Sequence, residues 1–364
     1  ITGERRADAT VDRALAWLDG LEGDARFVLW VHCYDPHIPY LPPEPWAGRH
    51  PGRPYDGEIA FMDAQIGRLL EHPRLAPGRT VVMAIGDHGE SLGEHGERTH
   101  GLLVYDATIR IPWIARLPGG PAGVRVAEAV SQVDLVPTIL DLLELAPTGG
   151  LAETDGRSLL PLLGPGEPPP HRLLFAESEV PFFAYGWARL RSARDGRLKL
   201  IAAPTEELYD LAPDPGELRN LAAERPAEVR RLTAAVEAWS AAGGAADSTL
   251  SVDAETAGML RALGYAAGDA ARPAGEGRGN PVELMPVHDE LQAVGSLLAN
   301  GRPEEAVRRA RGALALDPDN LTGLRDLSRG LVQLGRLDEA ATAADRAAAI
   351  APWSAEAFTV AADI

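Results

Sequence analysis

Four short segments place carboxylate and imidazole side chains where they could handle a charged substrate. They are Asp35-Pro36-His37-Ile38-Pro39, Gly86-Asp87-His88-Gly89-Glu90, Gly93-Glu94-His95-Gly96 and Thr99-His100-Gly101. Together they hold four of the nine histidines, and three of the four lie within sixteen residues. Adjacent Asp87 and His88 offer a hard oxygen and an imidazole nitrogen, a workable ligand pair for a divalent metal ion. Gly86 and Gly89 on either side permit close backbone turns. A bare Asp-His dipeptide more often caps a helix or bridges a surface loop. What favours a site here is the density of glycine and histidine behind an apolar run, with His37 in a proline-stiffened loop. Glu90 is the candidate to orient His88 from behind, and His95 reads as a residue that orders the loop rather than as a ligand.

These segments need elements to present them. TVVMAI, from Thr80 to Ile85, is an unbroken apolar run of strand length, as expected for a strand covered on both faces of a parallel sheet. It stops at the Asp87 loop, and ligands of open α/β sheets bind beyond the carboxyl ends of strands. Upstream, residues 7–21 carry Val11, Ala14, Leu15, Leu18 and Leu21 at helical spacing. ARFVLWVHCY reads as a strand leading into the His37 loop, and residues 55–71 as a helix burying Ile59, Met62, Ile66, Leu69 and Leu70. IRIPWIARL (109–117) predicts another buried strand, and DLVPTILDLLEL (134–145) an amphipathic helix with Asp134 as N-cap. This alternation predicts a doubly wound α/β layer. Residues 146–172 are a Gly- and Pro-rich loop. After it the signals turn short and β-like, with a hairpin at Asp195-Gly196, then ELYDL, an acidic run over Asp210–Glu217 expected as a solvated turn, and a helix over 224–242.

Residues 266–281 have the composition of a flexible linker. Beyond it the chain repeats itself. Gly301-Arg302-Pro303-Glu304-Glu305-Ala306 matches Gly335-Arg336-Leu337-Asp338-Glu339-Ala340 at an offset of 34 residues, the period of tetratricopeptide repeats. A net charge of -18 gives no footprint for nucleic acid. The single cysteine, Cys33, excludes an internal disulfide and reads as a small buried hydrophobe. His32, His50, His72 and His171 have no partners in sequence and are expected at the surface. The chain starts at Ile1 without a signal sequence and stops at Ile364 inside a helical pattern, so both ends are expected to have been cut from a longer product. The compartment stays open, an extracytoplasmic or membrane-anchored parent included.

Beyond single motifs, DPHIPY, YDGEIAFMDAQIG, GDHGESLGEHGERTHG and YDATIRIPWI follow one another in an order that resembles the sulfatase family of the alkaline phosphatase superfamily. DLVPTILDLL, DGRSL, GRLKLI, ELYDL and DPGELRNL continue it, so the resemblance covers roughly residues 5–265. It implies a doubly wound α/β sulfatase-like domain over 1–180, with a smaller C-terminal β/α subdomain over 181–265. A linker over 266–283 and an all-α repeat segment over 284–364 complete the expected order.

The resemblance further implies hydrolysis of a sulfate ester on a small molecule or glycan. Asp87 and His88 match the second pair of ligands to a divalent metal. Calcium comes first by family, and manganese or zinc also suit a site with a nitrogen donor. His37 matches the His-x-Pro histidine that contacts sulfate and the departing oxygen, and proton delivery is assigned to it, with His100 as the alternative. His100 stands where many members carry a lysine that holds the sulfate, which keeps phosphate or phosphonate esters open as substrates. Neither the formylglycine-forming Cys-x-Pro-x-Arg nor the first acidic metal pair is in this sequence. The chain thus holds about half of an active site and is expected to be inactive alone. A reading of another class makes it a non-catalytic scaffold, its repeats binding a protein or peptide.

Overall fold

The computed structural model describes residues 5–147, 154–163, 169–242 and 277–351, which form two compact units. The first comprises residues 5–86, 112–126 and 162–163. Helix α1 (Ala7–Asp19) buries Val11, Ala14 and Leu18, as its apolar spacing predicts. Helix α2 (Pro54–Leu70) opens on a proline, whose missing N–H costs nothing in a first turn. The two helices share a core of Val11, Leu18, Leu69 and Leu75. The inward face of α2 differs from the expected stripe: Gly57, Glu58, Phe61, Gln65 and Leu69 are buried, and Ile59 is exposed. The helix is rotated because Glu58 must reach the loop that carries His37.

Residues 27–31, expected as a strand, are extended but pair with no strand among the described residues. Their alternation survives. Phe27, Leu29 and Val31 pack on the α1 core, while Val28 and Trp30 are 82% and 91% exposed. Strands β1 (Val82–Ile85) and β2 (Trp113–Arg116) pair antiparallel, with Val82 opposite Arg116 and Ile85 opposite Trp113. Neither is covered on both faces as expected, and Ile114 is 66% exposed. An apolar run reports a capacity for burial; the neighbours available decide how much of it is used.

The second unit comprises the described residues within 87–111, 127–161 and 169–351. Helix α3 (Leu135–Leu142) starts directly after Asp134, the expected N-cap position, but the Asp134 side chain makes no cap bond to it; a capping box at Ser131 opens the preceding turn, Gln132–Asp134. The carboxylate of Asp134, fully buried, accepts the N–H groups of Ser131 and Arg157 at 2.9 Å each and pairs with the Arg172 guanidinium. A Cβ on Gly156 would stand 1.9 Å from the Val133 carbonyl oxygen, so the DGRSL segment needs its glycine.

Strands β3 (Leu174–Ser178), β4 (Leu190–Asp195), β5 (Leu198–Ala202) and β6 (Glu207–Asp210) form an antiparallel sheet in chain order, with helix α4 (Val180–Tyr185) between β3 and β4. β4 and β5 join at the expected Asp195-Gly196 turn, where Gly196 has φ +57°. Helix α5 (Pro226–Ala242) covers the sheet with Val229, Leu232 and Val236. Lys199 in β5, the only lysine in the sequence, is 1% exposed. Its Nζ lies 2.9 Å from Asp106 Oδ1 and 2.7 Å from Glu217 Oε1, and Glu217 also accepts the Asp106 N–H. The acidic run expected as a solvated turn is therefore partly interior, with Asp210 and Glu217 5% and 2% exposed.

Helices α6 (Met285–Ala299), α7 (Pro303–Leu316), α8 (Leu321–Gln333) and α9 (Leu337–Ile350) form the repeats. Gly301 and Gly335, at the offset of 34, turn the chain at φ +68° and +71°. Of the stretch expected as linker, residues 266–276 lie outside the described residues, and 277–283 are held in place. Arg278 N donates to Gly186 O at 2.9 Å, and Ala188 N to Gly279 O at 3.2 Å. Met285, Val287 and Leu291 share one apolar core with Leu102–Tyr105, Trp187 and Tyr209. Among the described residues no helix is long and apolar enough to cross a membrane.

Replacing Lys199 by methionine leaves the buried Glu217 carboxylate without its counter-charge, while Asp106 keeps Arg194 at 3.6 Å. Breaking a buried ion pair from one side costs about 3–5 kcal/mol. Urea unfolding of Lys199→Met is expected to register a loss of that order, and an unchanged midpoint would mean that Lys199 does not tie these segments together.

Candidate active site

Strand β1 delivers the chain to Gly86, and Asp87 and His88 follow at once. The loop then lies against a single helical turn, Asp106–Ile109: Gly89 N donates to Thr108 O at 2.7 Å. A Cβ on Gly89 would stand 2.4 Å from Ala107 O, so only glycine permits this approach. Asp87 Oδ1 accepts the N–H of His88 at 3.0 Å, which leaves Oδ2 available. His88 Nδ1 lies 2.8 Å from Gly89 O. A carbonyl only accepts, so Nδ1 carries the proton and Nε2 keeps its lone pair. Nε2 stands 3.8 Å from Asp87 Oδ2, and the two free donors converge. Gln132, which sequence reasoning missed, donates its side-chain amide to the Asp87 carbonyl.

The His100 ring stacks on His88 with centroids 3.8 Å apart and planes 27° apart. Its Nδ1 lies 3.2 and 3.3 Å from the two oxygens of Glu90, whose side chain is 3% exposed. The hydrogen bond to Glu90, working against burial, raises the pKa of His100 above its ordinary value. Glu90 thus serves His100 rather than His88 as expected, because His88 Nδ1 already has the Gly89 carbonyl. The loop between is closed on itself. Ser91 N donates to Thr99 O at 2.8 Å, and the 1%-exposed Glu97 carboxylate accepts Leu102 N at 2.8 Å and Leu103 N at 3.1 Å. Burial pushes the Glu97 carboxyl up to about 7.

His95 adopts φ +52° and stacks on Tyr105 at 3.5 Å, its Nε2 donating to Gly216 O at 3.1 Å. These contacts tie it to Tyr105 and Gly216. Among the described residues no set of three or more His, Cys, Asp or Glu side chains is grouped to hold a metal. Asp87 and His88 are a pair.

His37 belongs to the first unit. Glu58, 5% exposed, accepts His37 N at 3.0 Å and Leu41 N at 2.6 Å, and its burial raises its pKa. A Cβ on Gly57 would come within 2.8 Å of Pro42 Cγ, so the YDGE segment needs its glycine for the same packing. His37 Nδ1 donates to Ile38 O at 2.8 Å, and the Tyr34 hydroxyl faces Nε2 at 3.4 Å. Cys33, expected as a small buried hydrophobe, is only half-buried, and burial raises its thiol pKa. Of the histidines expected at the surface, His171 is exposed and lies 2.6 Å from Asp195, whereas the His72 side chain is only 11% exposed and lies 3.1 Å from Asp19.

Residues 3–145 match the family model for sulfatases, and residues 93–238 match that for the C-terminal domain of N-sulphoglucosamine sulphohydrolase. Two overlapping sulfatase models thus match residues 3–238. A tetratricopeptide-repeat model matches residues 297–364. Choline-sulfatase of Rhizobium meliloti is 30% identical over 179 residues, 48% of this chain and 33% of that protein. Arylsulfatase K of Mus musculus is 27% identical over 248 residues, 62% and 44% of the two chains. The crystal structure of Ps i-CgsB superposes with a TM-score of 0.55 at 21% identity, over 64% of this chain and 54% of that one, which supports the mixed α/β fold. The chain spans between a third and a half of the length of these two curated relatives.

Within the sulfatase segment, motifs scattered along the sequence meet in the interior. Tyr105-Asp106, GRLKLI, ELYDL and DPGELRNL supply two interior groups: Lys199 pairs with Asp106 and Glu217, and Tyr105 and Tyr209 both donate to Glu207 Oε2, at 2.6 and 2.7 Å. Glu58 and Glu97 were legible only as carboxylates inside these motifs; nothing local marks them as backbone-binding.

A carboxyl held above its usual pKa favours folding most at low pH, and that contribution is lost as pH rises from the unfolded value to about 7. Glu97→Gln is therefore expected to flatten the fall in Tm between pH 5 and pH 8. Parallel Tm profiles for the two proteins would show that Glu97 is not the group responsible.

Proposed function

We propose that this chain supplies the second metal-ligand pair and the proton-handling histidines of a sulfuric ester hydrolase acting on a sulfated small molecule or glycan. The observation that carries the reading is the convergence of Asp87 Oδ2 and His88 Nε2, with His100 stacked alongside and held by Glu90. The pair fits a divalent cation: one donor is a free carboxylate oxygen, and the other is an imidazole nitrogen whose tautomer is set by Gly89 O. Calcium heads the candidates on family grounds, with manganese and zinc compatible with the nitrogen donor. When bound, such an ion spreads the negative charge that builds on ester oxygens during cleavage.

The remaining work falls to the side chains. His100, its charged form favoured by Glu90, presents a cation to non-bridging oxygens. His37, its Nδ1 occupied by Ile38 O, exchanges a proton at Nε2 with the departing oxygen. Cys33 precedes Tyr34-Asp35-Pro36 and not x-Pro-x-Arg, so formylglycine does not arise in this chain. The repeats serve as a surface for a protein or peptide. A phosphate or phosphonate ester is the second reading, favoured by histidine at position 100 where many sulfatases carry lysine.

Calorimetric titration with calcium and with manganese is expected to give binding that weakens at least tenfold, about 1.4 kcal/mol, in Asp87→Ala. No metal effect on the parent protein, together with peptide binding to the repeats, would leave a scaffold instead of an enzyme. The purified 364-residue chain is expected to release neither sulfate nor phosphate from aryl esters. Turnover of either at enzymatic rates would overturn the reading that this chain lacks the nucleophile, and the ester cleaved would decide between the two chemistries.

A further inference from the structure

Sequence composition separates the repeats from the sulfatase segment by a linker, yet the second unit packs the first repeat helix against the loop that carries His100. A Cβ placed on Gly96, at φ +85°, would meet Met285 Cβ at 3.2 Å, so the loop backbone lies directly on the first residue of α6. Met285 is 3% exposed and belongs to the same core as Leu102–Tyr105. One helical turn on, Asp289 stands 3.6 Å from Arg98 of the loop. The contact is anchored from behind. Trp187, fully buried, donates its indole N–H to Asp317 Oδ2 at 2.7 Å, in the turn between α7 and α8. Thr322 Oγ1 donates to Ala184 O at 2.8 Å.

We infer that the repeat helices are a structural wall of the His100 loop, with Met285 as a positioning residue, and are not a module on a free tether. The chain of contacts is short. Met285 backs Gly96, and the next residue, Glu97, ties Leu102 N and Leu103 N. His100 lies in the bight between them. With the Met285 side chain removed, Gly96 loses its backing and the Glu97 ties open more often. Anything that shifts α6, including a partner bound on the repeats, is then felt at His100. The consequence for His100 as an active-site group rests on the function proposed above; the dependence of the loop on α6 does not.

Hydrogen exchange on the full chain tests the two parts separately. Met285→Ala is expected to speed exchange of the Leu102 and Leu103 amides at least tenfold and to weaken manganese binding at least fivefold, with Met285→Leu restoring both. Leu331→Ala loosens the core of α8 and α9 instead, and is expected to leave the Leu102 and Leu103 amides protected. Equal exposure in Met285→Ala and Leu331→Ala, or unchanged exchange in Met285→Ala, would overturn the inference. Should Met285→Ala fail to fold, Asp289→Arg, at a partly exposed position facing Arg98, carries the test: faster exchange over residues 96–103 supports the wall, and parent-like exchange refutes it. If the parent protein binds no manganese but the exchange pattern holds, the proposed function fails and the wall stands.

Discussion

The ammonium of Lys199 holds together three stretches of chain that lie far apart in sequence. It faces Asp106, just after the site loop, and Glu217, beyond the sheet, while its own strand supplies the sheet's interior. Taking an ammonium out of water is costly, and here two carboxylates and the Asp106 N–H to Glu217 offset that cost. Every other basic residue apart from histidine is arginine, so the lysine has a local reason. Its compact three-donor head fits between two acids at 1% exposure, where the wider planar fork of arginine would not. With Asp106 fixed, the helical turn it begins is fixed, and Gly89 can lie against that turn and aim Asp87 and His88.

Both histidine-bearing loops use one device. Glu58 in the first unit and Glu97 in the second are buried carboxylates that each accept two backbone N–H groups. A carboxylate in this role rigidifies a loop that has no ladder of its own, since its two oxygens satisfy donors that would otherwise be orphaned. Burial raises the pKa of both, so each loop is ordered by a group whose charge is held at some cost. Glycines complete the design where backbone must touch backbone, at Gly89 and Gly156, and where a ring must be approached, at Gly57.

The similarity to sulfatases accounts for the order of the motifs, and the structure says what several of them are for. GRLKLI, ELYDL and DPGELRNL supply interior ion pairs and hydrogen bonds rather than three local turns. DGRSL exists to let Gly156 pass Val133 and Arg157 reach Asp134. The repeats add helices whose first member completes the apolar core begun by Leu102–Tyr105, and residues 277–283 lie along Trp187 and Gly186 instead of spanning open solvent.

What could be read from the sequence was local or periodic. The α1 stripe, the Asp195-Gly196 turn, the offset of 34 in the repeats, and the Asp87-His88 pair behind an apolar run all depend on neighbours a few residues away or on repetition. What only tertiary structure decided involves partners distant in the chain. The rotation of α2 toward the His37 loop, the antiparallel rather than parallel pairing of β1, Glu90 bonding His100, His95 stacking on Tyr105, and the burial of Glu217 are all of this kind. The physical reason is the same in each case. Residue type and spacing set what a side chain can do, but a carboxylate, an imidazole or a strand edge takes the nearest partner in space, and that partner is chosen by the packing of the whole unit.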